Sequence, residues 1–172
     1  MIKDKDYSII SCSPENLITK KNNFITTKPI AGTLKKNKKL NKNKALTFFR
    51  KNLKETKEHN MIVDMERNDL SKICKPGSVK ILKKKIVEEY RYLYHYVSLI
   101  GGQLKNKVTS LEIIKAMMPG GSVIGCPKIS TLNLLNKQEK ENRNIYTCLL
   151  YTSDAADDMQ CVDLGGRRII KN

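Results

Sequence analysis

Glu15 directly follows Ser13-Pro14, where a short β-favouring run stops. Taken alone it is a solvated turn carboxylate, the default for an acidic residue beside a break. Glu58 and His59 stand side by side in a stretch of helical spacing, where a surface carboxylate is again the default. His95 says more, because it falls on the apolar side of an alternating run. A histidine there must be partnered, either as a satisfied core residue or as a positioned polar group in a pocket. Pro119-Gly120-Gly121-Ser122-Val123-Ile124-Gly125 is glycine-rich and leads towards the start of a helix. Glycines let backbone N–H groups approach an anion, and a helix N-terminus favours negative charge. The segment matches neither the phosphate-binding loop of nucleotide hydrolases nor the dinucleotide fingerprint.

The elements that must hold these groups follow from periodicity and punctuation. Tyr7 to Cys12 favours a strand. Asn16 to Ile18 and Phe24 to Thr27 flank the turn-like Lys20-Lys21-Asn22-Asn23 and predict a hairpin. Ile30-Ala31-Gly32-Thr33 is read as the end of that unit, with a Lys/Asn-rich loop to about Lys44. Leu46, Phe49, Leu53, Met61, Ile62 and Met65 are spaced for one helix over 45–73. Pro76-Gly77 breaks it, and Ser78 to Leu82 starts a strand. Tyr90 to Ile100 alternates, with Tyr90, Tyr92, Tyr94 and Tyr96 on one face and Leu93, His95, Val97 and Leu99 on the other. Gly101-Gly102 is expected to end or bulge that strand. Thr109-x-x-Glu112 is a capping box opening a helix of about two turns. Pro127 suits the first position of a further helix with Ile129, Leu132 and Leu135 inward. The order is α+β, strands and helices mixed in one domain.

Composition removes several function classes. The formal net charge of +16 invites a nucleic-acid reading, but only six of the 33 basic residues are Arg. The rest are Lys mixed with Asn, as in Lys38-Lys39-Leu40-Asn41-Lys42-Asn43-Lys44. Nucleic-acid readers rely on Arg forks and stacking aromatics, so this charge describes a solvated surface and no specific nucleic acid is expected. No apolar stretch approaches the ~20 residues of a membrane span, and Met1-Ile2-Lys3-Asp4-Lys5-Asp6 does not open a secretory signal. Cys12, Cys74, Cys126, Cys148 and Cys161 are odd in number and form no C-x-x-C pair, which points to a reducing cytoplasm.

The separate groups become specific in order. Ser13-Pro14-Glu15, Pro29-Ile30-Ala31-Gly32-Thr33, Glu58-His59-x-Met61-Ile62-Val63-Asp64-x-x-Arg67-Asn68-Asp69, Tyr94-His95-Tyr96-Val97-Ser98 and Pro119-Gly120-Gly121-Ser122-x-x-Gly125-x-Pro127-Lys128 follow one another. This succession resembles the chorismate-utilising enzymes: anthranilate synthase component I, aminodeoxychorismate synthase component I, isochorismate synthase and salicylate synthase. Arg143-x-x-Tyr146 extends the resemblance, which covers about residues 7 to 147. It implies the anthranilate synthase component I-like mixed sheet and helix domain. It also implies that Glu15 is the general acid protonating the departing C4 hydroxyl of chorismate, and that His95 lies beside the reacting ring. Thr33, Gly120, Gly121, Ser122 and Tyr146 would line the substrate pocket, and Glu58 would help hold Mg²⁺. The chemistry is coherent, since a dianionic substrate needs a metal and anion-facing backbone, and loss of hydroxide needs a proton donor. Asp64, Arg67 and Asn68 are read as a structural network of the helix.

Arg67-Asn68-Asp69 looks like the two synthases that take ammonia from a glutamine amidotransferase partner. Pro119-Gly120-Gly121-Ser122 and Pro76-Gly77-Ser78-Val79 resemble aminodeoxychorismate synthase, whereas Ala31 resembles anthranilate synthase, since many aminodeoxychorismate synthases carry a nucleophilic Lys there. The reading leans to aminodeoxychorismate synthase with direct addition of ammonia; the alternatives are an isochorismate or salicylate synthase type, an inactive piece that binds the amidotransferase, and a basic nucleic-acid-binding protein. After Thr147 the resemblance stops, and 148–172 looks like adapter read-through rather than native sequence. The expectation is therefore a partial chorismate-binding domain over 1–147, incomplete at both ends and inactive by itself, followed by a foreign tail.

Overall fold

The computed structural model describes residues 2–3, 7–9, 15–140 and 169–171. Its smaller sheet joins β1 (Ile2–Lys3), β2 (Tyr7–Ile9) and β8 (Ile169–Lys171), all antiparallel, with β2 in the middle. Cys12, Ser13, Pro14, Tyr146 and most of the tail lie outside the described residues.

The larger sheet is antiparallel and carries the site. β3 (Asn16–Lys21) and β4 (Phe24–Lys28) form the expected hairpin, turning on Asn22 at φ 52°. Asn is among the few residues that tolerate that left-handed conformation. The chain then passes through the buried Pro29 into β5 (Ile30–Lys35). Ile30-Ala31-Gly32-Thr33 therefore does not end the unit; it begins a strand. β4 and β5 lie end to end along one side of β7 (Leu93–Gln103), and β6 (Lys80–Glu89) lies along the other.

β7 departs from its expected bounds at both ends. Tyr90 and Tyr92 are exposed and precede the strand, where the amide of Tyr90 donates to the carbonyl of Leu93 at 2.9 Å. Gly101 and Gly102 continue it, pairing with Thr26 and Ile25. Tyr94 to Ser98 are buried on both faces, so the alternation does not divide core from solvent. A central strand with neighbours on both edges and cover on both faces has no wet side. β6 also runs past the expected Leu82, because its exposed Lys83-Lys84 sit on an edge strand, where lysines are tolerated and guard against further pairing.

The expected helix over 45–73 is two helices, α1 (Lys42–Lys51) and α2 (Leu53–Ile73). Asn52 divides them, extended at φ −79°, ψ 102°, its side chain accepting from the amides of Lys54 and Glu55. Asn competes with the helix for its own backbone and so favours caps. The apolar spacing is continuous across the cap, which hides the break from periodicity. α3 (Ser110–Met117) opens with the expected box: Thr109 Oγ1 accepts from the Glu112 amide at 3.3 Å, and the Thr109 amide donates to Glu112 Oε2 at 2.8 Å.

α4 (Gly121–Ile124) is a single turn, and α5 (Lys128–Gln138) follows with Pro127 as its N-cap. No residue of α5 is buried, and Ile129 is 77% exposed, contrary to the expected inward face. Leu132 and Leu135 of that face are only partly covered by the described residues.

α2 spans the sheet and supplies most of the core. Val63, Leu70 and Ile73 pack with Ile25, Ile100, Leu104, Ile113 and Met117. Ile62 and Met65 close over Ala31 on β5. Phe49 of α1 stacks on Tyr96 of β7, ring centroids 4.8 Å apart at 9°. Burying each such side chain is worth about 1.5–3 kcal/mol, which holds both helices to β5 and β7. At Gly32 a Cβ would stand 2.7 Å from Phe49 Cε1, so only glycine lets α1 approach the strand this closely.

Candidate active site

Glu15 is not a solvated turn carboxylate. Its Oε1 accepts from the amide of Ile30, the first residue of β5, at 3.0 Å. Its Oε2 accepts from the hydroxyl of Ser122, at the start of α4, at 3.2 Å. Burial raises the carboxyl above the ordinary range, and the two donors, Ile30 first, only partly offset it. Desolvation penalises the charged form of a carboxyl, so the arrangement favours one that can carry a proton.

The glycine loop is brought to Glu15 by packing. Gly121 is buried directly over Met65 of α2, where a Cβ would fall 1.7 Å from Met65 Cε. Any larger residue would push the turn, and Ser122 with it, away from Glu15. Gly120 has room for a Cβ, the nearest atom being Leu17 Cδ1 at 3.6 Å. The helix expected behind the loop is present as α5, but the loop itself runs into the single turn of α4, whose four residues sum little dipole, so an anion at the loop would meet its backbone and Ser122.

His95 is 5% exposed, and its Nδ1 meets Thr33 Oγ1 at 2.9 Å across the β5–β7 register pair. Tyr90 stands edge-on to the ring at 5.1 Å. Glu88 is the register partner of His95 on β6, and accepts from Lys28 Nζ and Tyr90 OH, both at 2.9 Å. Burial lowers the affinity of His95 for a second proton, while the Gly32 backbone and Glu88 oppose. Thr33 lies three residues along β5 from Ile30, about 10 Å at strand rise, so one strand indexes both Glu15 and His95.

Glu58 is exposed on α2, on the stripe that continues through Ile62 to Met65. That places it about 10 Å along the helix from the residue beneath Gly121. His59, its neighbour, points to the core: 1% exposed, with Nε2 at 2.6 Å from Ser98 Oγ and its ring 4.8 Å from that of Tyr96. Burial, with Lys85 adding to it, lowers its pKa to about 4, so it is a neutral core histidine. Arg67 pairs with Asp64 at 3.1 Å on the helix surface, in keeping with a structural role.

Glu58 is chemically suited to Mg²⁺, a hard cation that takes carboxylate oxygens. Among the described residues, however, no group of three or more His, Cys, Asp or Glu stands ready to hold a metal. The described residues alone do not make the Mg²⁺ site.

Sequence reasoning missed the acid beside the site. Glu66 is 3% exposed, and its Oε2 accepts from Thr27 Oγ1 of β4 at 3.1 Å. Asp69, one turn on, pairs with Lys72 at 2.8 Å and with Lys128 of α5. A signal existed: Glu66 and Asp69 fall on the same face of α2 as Ile62, Leu70 and Ile73. A cavity of about 520 Å³ lined by Lys21, Asn22, Phe24, Gly77, Lys80 and Gln103 lies at the β3–β4 turn and contains none of these groups.

The profile of a family described as chorismate binding enzyme matches residues 1–162. Aminodeoxychorismate synthase component 1 of Bacillus subtilis (strain 168) is 37% identical over 147 residues, covering 85% of this chain and 31% of that protein. Anthranilate synthase component 1 of Arthrobacter globiformis is 38% identical over 156 residues, covering 90% and 29%. The crystal structure of anthranilate synthase component I from Streptococcus pneumoniae TIGR4 superposes at a TM-score of 0.80 with 37% identity, over 98% of this chain and 37% of that one. The chain thus spans about a third of the length of these relatives. Among the described residues, no helix is long and apolar enough to cross a membrane.

Proposed function

We propose that this chain, which belongs to the chorismate-binding enzyme family, carries the proton-donating part of the active site of a chorismate-aminating synthase. The observation that carries the reading is the setting of Glu15. A carboxyl raised by burial, aimed by the Ile30 amide and the Ser122 hydroxyl, suits a general acid that protonates a departing hydroxyl. In this reading Glu15 gives its proton to the C4 oxygen of chorismate, which leaves as water, and the Ser122 and Ile30 donors steady the carboxylate that remains. His95, its Nδ1 engaged by Thr33, offers Nε2 as a neutral polar group beside the ring. The backbone of Gly120 and Gly121 faces the substrate's negative charge. Mg²⁺, bound with the help of Glu58, would neutralise a substrate carboxylate.

Ammonia would come from a glutamine amidotransferase subunit, a reading supported by Arg67-Asn68-Asp69 and by relatives named as component 1 of a synthase. The proposed product is aminodeoxychorismate, with anthranilate as the second reading. Ala31 bears on the route. It is buried against Ile62 and Met65, so no nucleophilic amine stands at that place and ammonia would add directly.

The test is Glu15→Gln in the full-length protein. Turnover should be abolished while chorismate affinity stays within about tenfold, because a general acid acts chiefly in the transition state. Near-normal turnover would refute the assignment.

A further inference from the structure

We propose that Lys128 is a positioning residue for Glu15: it clasps both ends of the glycine loop to α2 and so seats the Ser122 hydroxyl on that carboxyl. The inference rests on reading Glu15 as the proton donor. The loop, residues 118–127, fills the interval between the last residue of α3 and the first of α5. Lys128 is that first residue of α5, and its Nζ donates back to the carbonyl of Met117, the last residue of α3, at 3.2 Å. One side chain therefore draws the two ends of the loop together. The same Nζ pairs with Asp69 Oδ2 of α2, on a residue only 1% exposed.

The clasp complements the contact that holds the middle of the loop. Met65 lies beneath Gly121, and Asp69 is one turn further along α2. Residues at that spacing share one helix face, about 6 Å apart along the axis. α2 thus offers two successive anchors, a side chain under Gly121 and a carboxylate for Lys128, and Ser122 lies between the two points they fix. Bonds inside the loop set its shape rather than its place: the Ile124 amide donates to the Gly120 carbonyl at 3.2 Å, and the Gly125 amide to the Gly121 carbonyl at 2.8 Å. Apolar packing does not seat the helix behind the loop, because α5 has no buried residue. The Lys128 side chain is 15% exposed, against 53% for that of Lys72, the other cation on Asp69. A charge-assisted bond shielded from water holds position where a wet surface pair does not. Lys128 is the anchor.

The experiment is a double-mutant cycle of Lys128→Met and Ser122→Ala in the full-length protein, read as kcat and as the pH–rate profile. Lys128→Met keeps the length of the side chain, and Asp69 keeps Lys72, so the buried carboxylate is not left unpaired. Each single variant should lower kcat by about tenfold, the worth of one hydrogen bond to a charged group, and move the alkaline limb up. The double variant should be no more than about twofold slower than Ser122→Ala, because Lys128 acts through that hydroxyl. General loosening, or the lost charge itself, would act whether or not the Ser122 hydroxyl is present. Losses that multiply to about a hundredfold, or an unchanged kcat in Lys128→Met, overturn the proposal.

If Lys128→Met does not fold, Asp69→Asn serves instead. It removes the charge that binds Lys128 while keeping an acceptor oxygen, and the same cycle with Ser122→Ala decides. Glu15→Gln separates the clasp from the donor role. If that variant stays active, the donor reading falls, and the cycle is read on the Glu15 carboxyl itself, by NMR of the 172-residue chain labelled with ¹³C at glutamate Cδ. The Glu15 midpoint should then rise in Lys128→Met only where the Ser122 hydroxyl is present; an equal rise without it, or no rise, overturns the clasp. If Glu15→Gln is inactive and the kcat losses multiply, the clasp falls and the donor role stands.

Discussion

The hydroxyl of Ser122 donates to Glu15 Oε2 at 3.2 Å, joining positions 107 apart in the chain. That bond favours the ionised carboxylate, so its removal should raise the Glu15 midpoint further and leave the side chain less well aimed. Ser122→Ala in the full-length protein is expected to lower turnover by about tenfold, the worth of one hydrogen bond to a charged group. A pH–rate profile checks both effects, and an alkaline limb that moves to lower pH would contradict the assignment.

Gly32→Ala should destabilise the fold by about 1–3 kcal/mol, the usual cost of overpacking a filled site. The added methyl would stand 2.7 Å from Phe49 Cε1, and Phe49 is pinned by its stack on Tyr96. Thermal melting followed by circular dichroism reads this directly. An unchanged midpoint would mean that α1 is not seated on β5.

His59 and Glu66 should give stability opposite pH dependences. His59 has a folded pKa of about 4 against 6.5, so its contribution is full above 6.5 and is lost as pH falls towards 4. The loss is at most about 3 kcal/mol. Glu66 is raised from 4.5 to about 7, so its contribution is full below 4.5 and lost as pH rises through 7. Glu66→Gln should therefore gain melting temperature relative to the unsubstituted chain on going from pH 5 to pH 8 (roughly 1–2 kcal/mol). A constant difference would place Glu66 in water.

Glu58→Ala should weaken Mg²⁺-dependent chorismate binding by at least about tenfold, since one hard oxygen ligand is lost. Being exposed, the residue should leave stability within roughly 0.5 kcal/mol. Calorimetry with and without Mg²⁺ is the measurement. Unaltered Mg²⁺ dependence would return Glu58 to the helix surface.

The sequence by itself determined what depends on near neighbours. The hairpin around Asn22, the capping box at Thr109 and the stripe of α2 all rest on residues within a turn or two of one another. The ordered motifs were likewise enough to place the chain in its family. What only the tertiary structure decided depends on partners far along the chain. Gly32 and Thr33 form a strand because β7 pairs with them from sixty residues away. Glu58 and His59 are neighbours in sequence, yet the position of β7 sends one to solvent and the other into the core. Glu66 reads as one more charge on a long helix until Thr27, Glu15 and Lys128 converge on it from three other parts of the chain. Apolar spacing records which face of an element is buried, but the protonation of a buried acid is set by everything that meets it there.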